Sequence, residues 1–178
     1  MQIVRNQSSR SAFALLGIAG LLSAAAMPLA AAATLSQSVV VHASPESVWN
    51  LVGPFCAIQQ WLPPVKTCTE DRATARVRTL VTKDGNDTFV ERQTARSEAR
   101  RFYSYTFLSS PLPVTNYSST IKVAAGEPGQ SVVTWSGSYT PVAGKEVEAR
   151  TALSGIYAAG LGSIQQQASR PGTVVSPK

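Results

Sequence analysis

Residues 100–123 read RRFYSYTFLSSPLPVTNYSSTIKV, two alternating runs joined by a turn that carries Pro111 and Pro113. Side chains alternate across a strand, so Tyr103, Tyr105 and Phe107 share one side of the first run. Tyr117, Ser119, Ile121 and Val123 share one side of the second. A face that mixes phenol hydroxyls, a small serine and hydrocarbon suits a partly polar pocket better than a dry core, because a buried tyrosine hydroxyl needs a partner. The stretch therefore points to a protein that binds something small and mostly apolar.

Outward from these two strands, alternation predicts further strands at 65–72, 75–82, 87–96 and 130–140, with 101–108 and 114–125 for the pair just described. Asp84-Gly85-Asn86-Asp87 and Gly126-Glu127-Pro128-Gly129 supply turn chemistry between runs, and Ser97 to Arg100 is a polar bend. Upstream, Leu35 to Ala43 alternates as a strand with Val39, Val41 and Ala43 on one face. Ser44 is placed as an N-cap and Pro45 as the first helical residue, followed by the apolar stripe Val48, Trp49 and Val52. Gly53-Pro54 stops that helix, and a second helical piece at 56–61 ends at Pro63-Pro64. A long helix is expected from Val142 to about Gln167, its face formed by Ala149, Leu153, Ile156, Tyr157, Gly160, Leu161 and Ile164. Gly155, Gly160 and Gly162 are costly there by propensity, which implies close backbone approach or volume left for a ligand. The order strand, short helices, consecutive hairpins and long helix describes an α+β protein built on an antiparallel meander.

The first 33 residues read as a secretory signal peptide. Arg5 and Arg10 form a charged start, Phe13 to Leu22 is apolar, and Ala31-Ala32-Ala33 offers small residues for cleavage. Residues 34–168 then form one domain, 169–178 a flexible tail, and the protein is periplasmic or secreted with no stable membrane anchor after cleavage. The formal net charge of +6 is spread rather than blocked. Arg76 and Arg78 alternate along a strand and are expected on a solvated face. No nucleic-acid motif accompanies the charge. Cys56 and Cys68 are the two cysteines; in an oxidising compartment a single disulfide is expected, the alternative being two buried thiols that never meet. With His42 they give too few ligands for a metal site, and His42 itself is expected in a structural or exposed role.

The segment SPESVWNLVGPFCAIQQWLPPVKTC at 44–68, Glu91-Arg92-Gln93, and PLPVTNYSSTIKV at 111–123 followed by the Trp135 strand resemble the START-like (SRPBCC) superfamily, in its bacterial polyketide cyclase/dehydrase and lipid-transport branch. The resemblance implies a helix-grip fold: a curved antiparallel sheet of about seven strands around the long C-terminal helix, two short helices after the first strand, and a cavity for apolar molecules between sheet and helix. Plant abscisic-acid receptors belong to the same superfamily. Their ligand-closing loops correspond in position to Lys83–Asp87 and Ser109–Val114, but the lysine that grips the hormone carboxylate would fall near Leu62, and Lys83-Asp84-Gly85 stands where the gate motif would be. The cavity is carried over and the hormone is not.

The candidate ligand-binding residues on this basis are Phe89, Glu91, Tyr105, Phe107, Val114, Tyr117, Ser119, Trp135, Tyr139, Leu153, Tyr157 and Leu161, with Ile164 also on the helix face. Glu91 decides between functions. An acid facing an apolar cavity carries a desolvation penalty unless a cation or water network stabilises it. It could act as a general base beside a tyrosine that polarises a carbonyl, as a cyclase or dehydratase needs. It could equally bind ligand or water, or pair with an arginine. The leading expectation is an exported binding protein for a small hydrophobic or amphipathic ligand, without cofactor. The rivals are the Glu91-dependent enzyme and a periplasmic accessory protein acting on a partner enzyme through its surface, as the resemblance to the accessory protein of bacterial methanol oxidation implies.

Overall fold

The computed structural model describes residues 31–71, 73–74 and 76–169. Strand β1 (Ala33–Val41) leads into helix α1 (Pro45–Val52), a 3-10 turn (Phe55–Ala57) and helix α2 (Ile58–Trp61). Strands β2 (Val65–Asp71), β3 (Val77–Thr82), β4 (Thr88–Ser97), β5 (Phe102–Ser109), β6 (Val114–Ala125) and β7 (Ser131–Pro141) follow, and helix α3 (Glu146–Ala168) ends the fold. All pairings are antiparallel, in the order β1-β7-β6-β5-β4-β3-β2. Six strands thus form a meander, and the first strand closes onto the last. Helix α3 lies against β1 and β7 and meets α1 and α2, which is the expected helix-grip arrangement. Among the described residues no helix is long and apolar enough to cross a membrane.

Local chemistry sets the element ends as anticipated. The Ser47 amide donates to Ser44 Oγ at 3.2 Å and Pro45 opens α1, a cap worth about 1 kcal/mol. Gly85 sits at φ 76° in the β3–β4 turn, a left-handed conformation natural to glycine. Cys56 and Cys68 are joined in a disulfide, tying the 3-10 turn to edge strand β2.

The boundaries differ at both ends. Strand β1 starts at Ala33, which pairs with Tyr139, one residue inside the segment assigned to the leader. It ends at Val41 because the Ala43 amide turns back to the Val41 carbonyl at 2.9 Å. His42 beside it is exposed. Helix α3 begins at Glu146 rather than Val142, since Gly144 is left-handed and Lys145 closes a turn onto the Val142 carbonyl. Residues 1–30 of the leader and the tail after Ser169 lie outside the described residues.

The helix glycines divide. A Cβ on Gly160 would come within 2.7 Å of Trp135 and 3.1 Å of Trp61 and Leu62, so close packing requires glycine there. Gly155 and Gly162 would meet nothing within 4 Å, and close approach does not explain them.

Candidate functional site

The inner sheet face carries an unbroken series of rings. Phe55 meets Tyr103 edge-on at 5.6 Å, Tyr103 and Tyr105 lie 6.1 Å apart, and Phe107 stacks on Tyr117 at 3.9 Å. At the α1 end these rings pack with Trp49 into solid core. Toward the other end they open into a cavity of about 200 Å³. Its sheet wall comes from Leu80, Phe89, Glu91, Tyr105, Phe107, Tyr117 and Trp135. Ile58, Leu62, Pro64 and Val65 enclose it from the α2 side, and Leu153 and Ile156 cover it from α3. Thr82 and Asp87 of the β3–β4 turn and Leu112 of the β5–β6 turn complete the lining, so both loops singled out in the sequence reach it. Leu62 makes that wall apolar.

Seven of the twelve expected lining residues therefore surround one space: Phe89, Glu91, Tyr105, Phe107, Tyr117, Trp135 and Leu153. The other five lie elsewhere. Tyr139 and Leu161 are buried in the core, and Val114 packs half-buried against it. Tyr157 and Ser119 sit behind the wall. Tyr157 stacks on Trp135 at 4.4 Å, so the indole stands between it and the cavity. Ile58 of α2 and the Leu62, Pro64 and Val65 that follow it were missed because alternation reads faces of strands and carries nothing about which short helix and connection lie over them. Gly137 was missed as well. A Cβ there would lie 2.5 Å from the Tyr157 hydroxyl, and a glycine inside a strand is the signal for such an approach.

Arg78 corrects the sequence reading most. It is fully buried, not solvated, and its Nε donates to Glu91 Oε2 at 2.6 Å. Nη1 donates to the Phe55 carbonyl, and the guanidinium lies 3.9 Å from the Phe55 ring centre and 5.2 Å from that of Tyr105. Nη2 is buried without a partner among the described residues. The pair follows from the register of the sheet: Arg78 stands directly opposite Glu91 on β4, and opposite charges at facing positions stabilise each other. Burial pushes the Glu91 carboxyl upward, against the pull of the Arg78 guanidinium. Burial works against the Arg78 cation too, but the Glu91 charge and the neighbouring Tyr103 and Tyr105 prevail and raise its pKa.

Behind the cavity runs a chain of hydroxyls. Ser119 Oγ donates to the Ser136 carbonyl at 2.8 Å and accepts the Trp135 indole N–H at 2.9 Å. The Tyr157 hydroxyl lies 2.9 Å from Ser119 Oγ and 2.9 Å from the Tyr117 hydroxyl, and that of Tyr105 lies 3.4 Å from Tyr117. A bulge in β6 at Thr115–Ser118 presents Tyr117 to this chain, with Asn116 left-handed at φ 52°; asparagine tolerates that conformation. Burial raises the pKa of Tyr105 and Tyr117 well above the ordinary tyrosine value and that of Tyr157 in the same direction. All three are therefore neutral at physiological pH.

An apolar space gripped between a curved antiparallel sheet and a C-terminal helix, with a few buried polar groups in its wall, defines the helix-grip class of proteins. The model of the polyketide cyclase / dehydrase and lipid transport family matches residues 32–169, and the chain belongs to that family. It is 39% identical to the protein XoxI from Bacillus cereus, covering 76% of this chain and 95% of that one with a TM-score of 0.72. An uncharacterized protein from Bacillus thuringiensis is 38% identical over 78% of this chain and 100% of its own, with a TM-score of 0.73. The Zhui aromatase/cyclase from Streptomyces sp. R1128 superposes with a TM-score of 0.66 at 18% identity, over 83% of this chain and 100% of that one, a likeness of fold. A search of curated proteins finds no match.

Proposed function

We propose that this chain is an exported binding protein that holds one small, mostly apolar molecule between the sheet and α3. The observation that carries the reading is the cavity itself, about 200 Å³ and walled largely by hydrocarbon and aromatic rings. An apolar cavity of about 150 Å³ admits one benzene, so this one suits a single substituted ring or a comparably short chain, and is too small for a two-tailed lipid. Mostly apolar walls with a few placed polar groups are the general form of small-molecule sites. Export is supported by the leader-like sequence before Thr34 and by the Cys56–Cys68 disulfide.

Binding is preferred to proton abstraction because of Arg78. A Glu91 that takes up a proton leaves a buried guanidinium without its counter-charge, and breaking such a pair costs about 3–5 kcal/mol. Native mass spectrometry of the protein taken from its own host's periplasm, before and after mild organic extraction, tests the reading. An extractable adduct of single-ring size is expected on a chain lacking the leader. An unliganded mass before extraction would refute carriage, and a co-purifying protein in its place would favour the accessory role.

A further inference from the structure

The direction of every proton in the hydroxyl chain can be worked out from its buried end. Ser119 has one hydroxyl hydrogen, and it is committed to the Ser136 carbonyl. Its oxygen therefore only accepts, from the Trp135 indole and from Tyr157. That commits the Tyr157 hydrogen to Ser119, so in the 2.9 Å contact between Tyr157 and Tyr117 the donor is Tyr117. Tyr105 is left as donor in its contact with Tyr117, at 3.4 Å, beyond the usual O–H···O range of about 2.5–3.0 Å. Of the four hydroxyl hydrogens, that of Tyr105 alone has no short bond, and Tyr105 lines the cavity. The wall thus presents one available O–H donor.

Its buried part also presents one available acceptor, the other lining carboxylate, Asp87, belonging to the partly exposed β3–β4 turn. Arg78 engages Glu91 through Oε2, no described residue donates to Oε1, and the carboxyl lines the same cavity. Glu91 faces Phe107 across the β4–β5 pair and Tyr105 faces Gln93, so the two are diagonal neighbours on one face of the sheet, and the Arg78 side chain lies against both. A carboxylate ligand would meet the Glu91 charge and a cationic one the Arg78 guanidinium. The pair as a whole is neutral, and either ionic head group would be buried without compensation. A group that accepts one hydrogen bond, donates one and carries no charge fits what remains.

We propose that the molecule held in this cavity carries a neutral hydroxyl, alcoholic or phenolic, that accepts from Tyr105 and donates to Glu91 Oε1. The inference rests on the binding reading above and adds the head-group chemistry to it. A polar site rejects analogues that leave its groups unpaired, whereas an apolar wall discriminates weakly by size.

Isothermal titration calorimetry on the mature, disulfide-bonded chain tests it with three probes of similar size: para-ethylphenol, its methyl isostere para-ethyltoluene, and para-ethylbenzoate. The phenol is expected to bind at least about ten-fold more tightly than the isostere, with no measurable binding of the benzoate. Tyr105→Phe should remove most of that advantage and leave the isostere's affinity unchanged. Equal affinity for phenol and isostere in the unsubstituted protein overturns the hydroxyl site while the apolar cavity stands. Preference for the benzoate overturns it in favour of an anion held by Arg78. Binding of none of the three overturns this inference together with the cavity reading. The probe series on the unsubstituted protein decides the matter even if the variant fails to fold.

Discussion

Raising the pH above 10 should unfold this domain steeply, and the slope follows from counting tyrosines. Tyr103, Tyr105, Tyr117 and Tyr157 are each no more than 3% exposed, and burial raises the pKa of all four above the ordinary value. In the unfolded chain they ionise near pH 10. An acid whose folded pKa is raised keeps its proton in the native state while the unfolded chain releases it, so the stability is fully present below pH 10 and is lost as pH rises beyond it. Each tyrosine contributes a slope of about 1.4 kcal/mol per pH unit in this window, and four together about 5 kcal/mol per unit. Against a typical domain stability of about 5–15 kcal/mol, unfolding is expected roughly one to three units above pH 10. Tyrosinate absorbance and far-ultraviolet circular dichroism should change in a single coincident transition releasing about four protons. Tyr105→Phe should lower that number by one. Tyrosines that titrate gradually near pH 10 with the dichroism unchanged would show that water reaches the hydroxyl chain, and would refute the proton ordering built on its dryness.

Two further tests concern the packing around the cavity. Arg78→Met and Glu91→Leu made singly should each cost about 3–5 kcal/mol in urea unfolding, and the double variant less than either, because only the single changes leave a buried charge unpaired; a double variant as unstable as the two costs added together would show that the pair does not act as a unit. In α3, Gly155→Ala is expected to raise stability by about 0.5–1 kcal/mol through helix propensity, and Gly160→Ala to lower it by about 1–3 kcal/mol through its clash with Trp135. Thermal melts that move both variants in the same direction would contradict the distinction between the two glycines.

The strand faces were readable because a period of two reports which side of a sheet a residue occupies. Tyr105, Phe107, Tyr117 and Trp135 were found in that way, and β6 matches its expected span of 114–125. Depth along the face was not readable. Tyr139 and Trp135 alternate identically and both are buried in the core, yet only Trp135 also lines the cavity. The fate of Arg78 was hidden for a related reason. A charge in an alternating strand reads as solvent-facing until its cross-strand neighbour is known, and the Arg78–Glu91 register depends on the Thr82–Thr88 connection between the two strands. Gly137 and Gly160 carry a signal in sequence, but what each makes room for, a tyrosine hydroxyl in one case and a tryptophan edge in the other, belongs to tertiary structure.

The position of Arg78 explains why the ring series stops being solid where it does. Its guanidinium lies among Phe55, Tyr103 and Tyr105, where packed core gives way to open cavity. A cation there requires a carboxylate; of the two residues directly opposite Arg78, Glu70 on β2 is exposed and Glu91 on β4 is buried beside the guanidinium. Glu91 thereby serves two ends, pairing with the buried guanidinium through Oε2 and lining the cavity with the rest of its carboxylate. Loss of ligand on changing Glu91 would report either an unpaired buried Arg78 or a missing acceptor. Tyr105 separates the two, since its phenyl ring can stay in place while its hydroxyl is removed, and Trp135 retains its bond to Ser119. A Tyr105→Phe protein that melts like the parent and still takes up the apolar isostere, yet no longer favours the phenol, would assign head-group recognition to the hydroxyl and leave Arg78 and Glu91 as the frame that holds it.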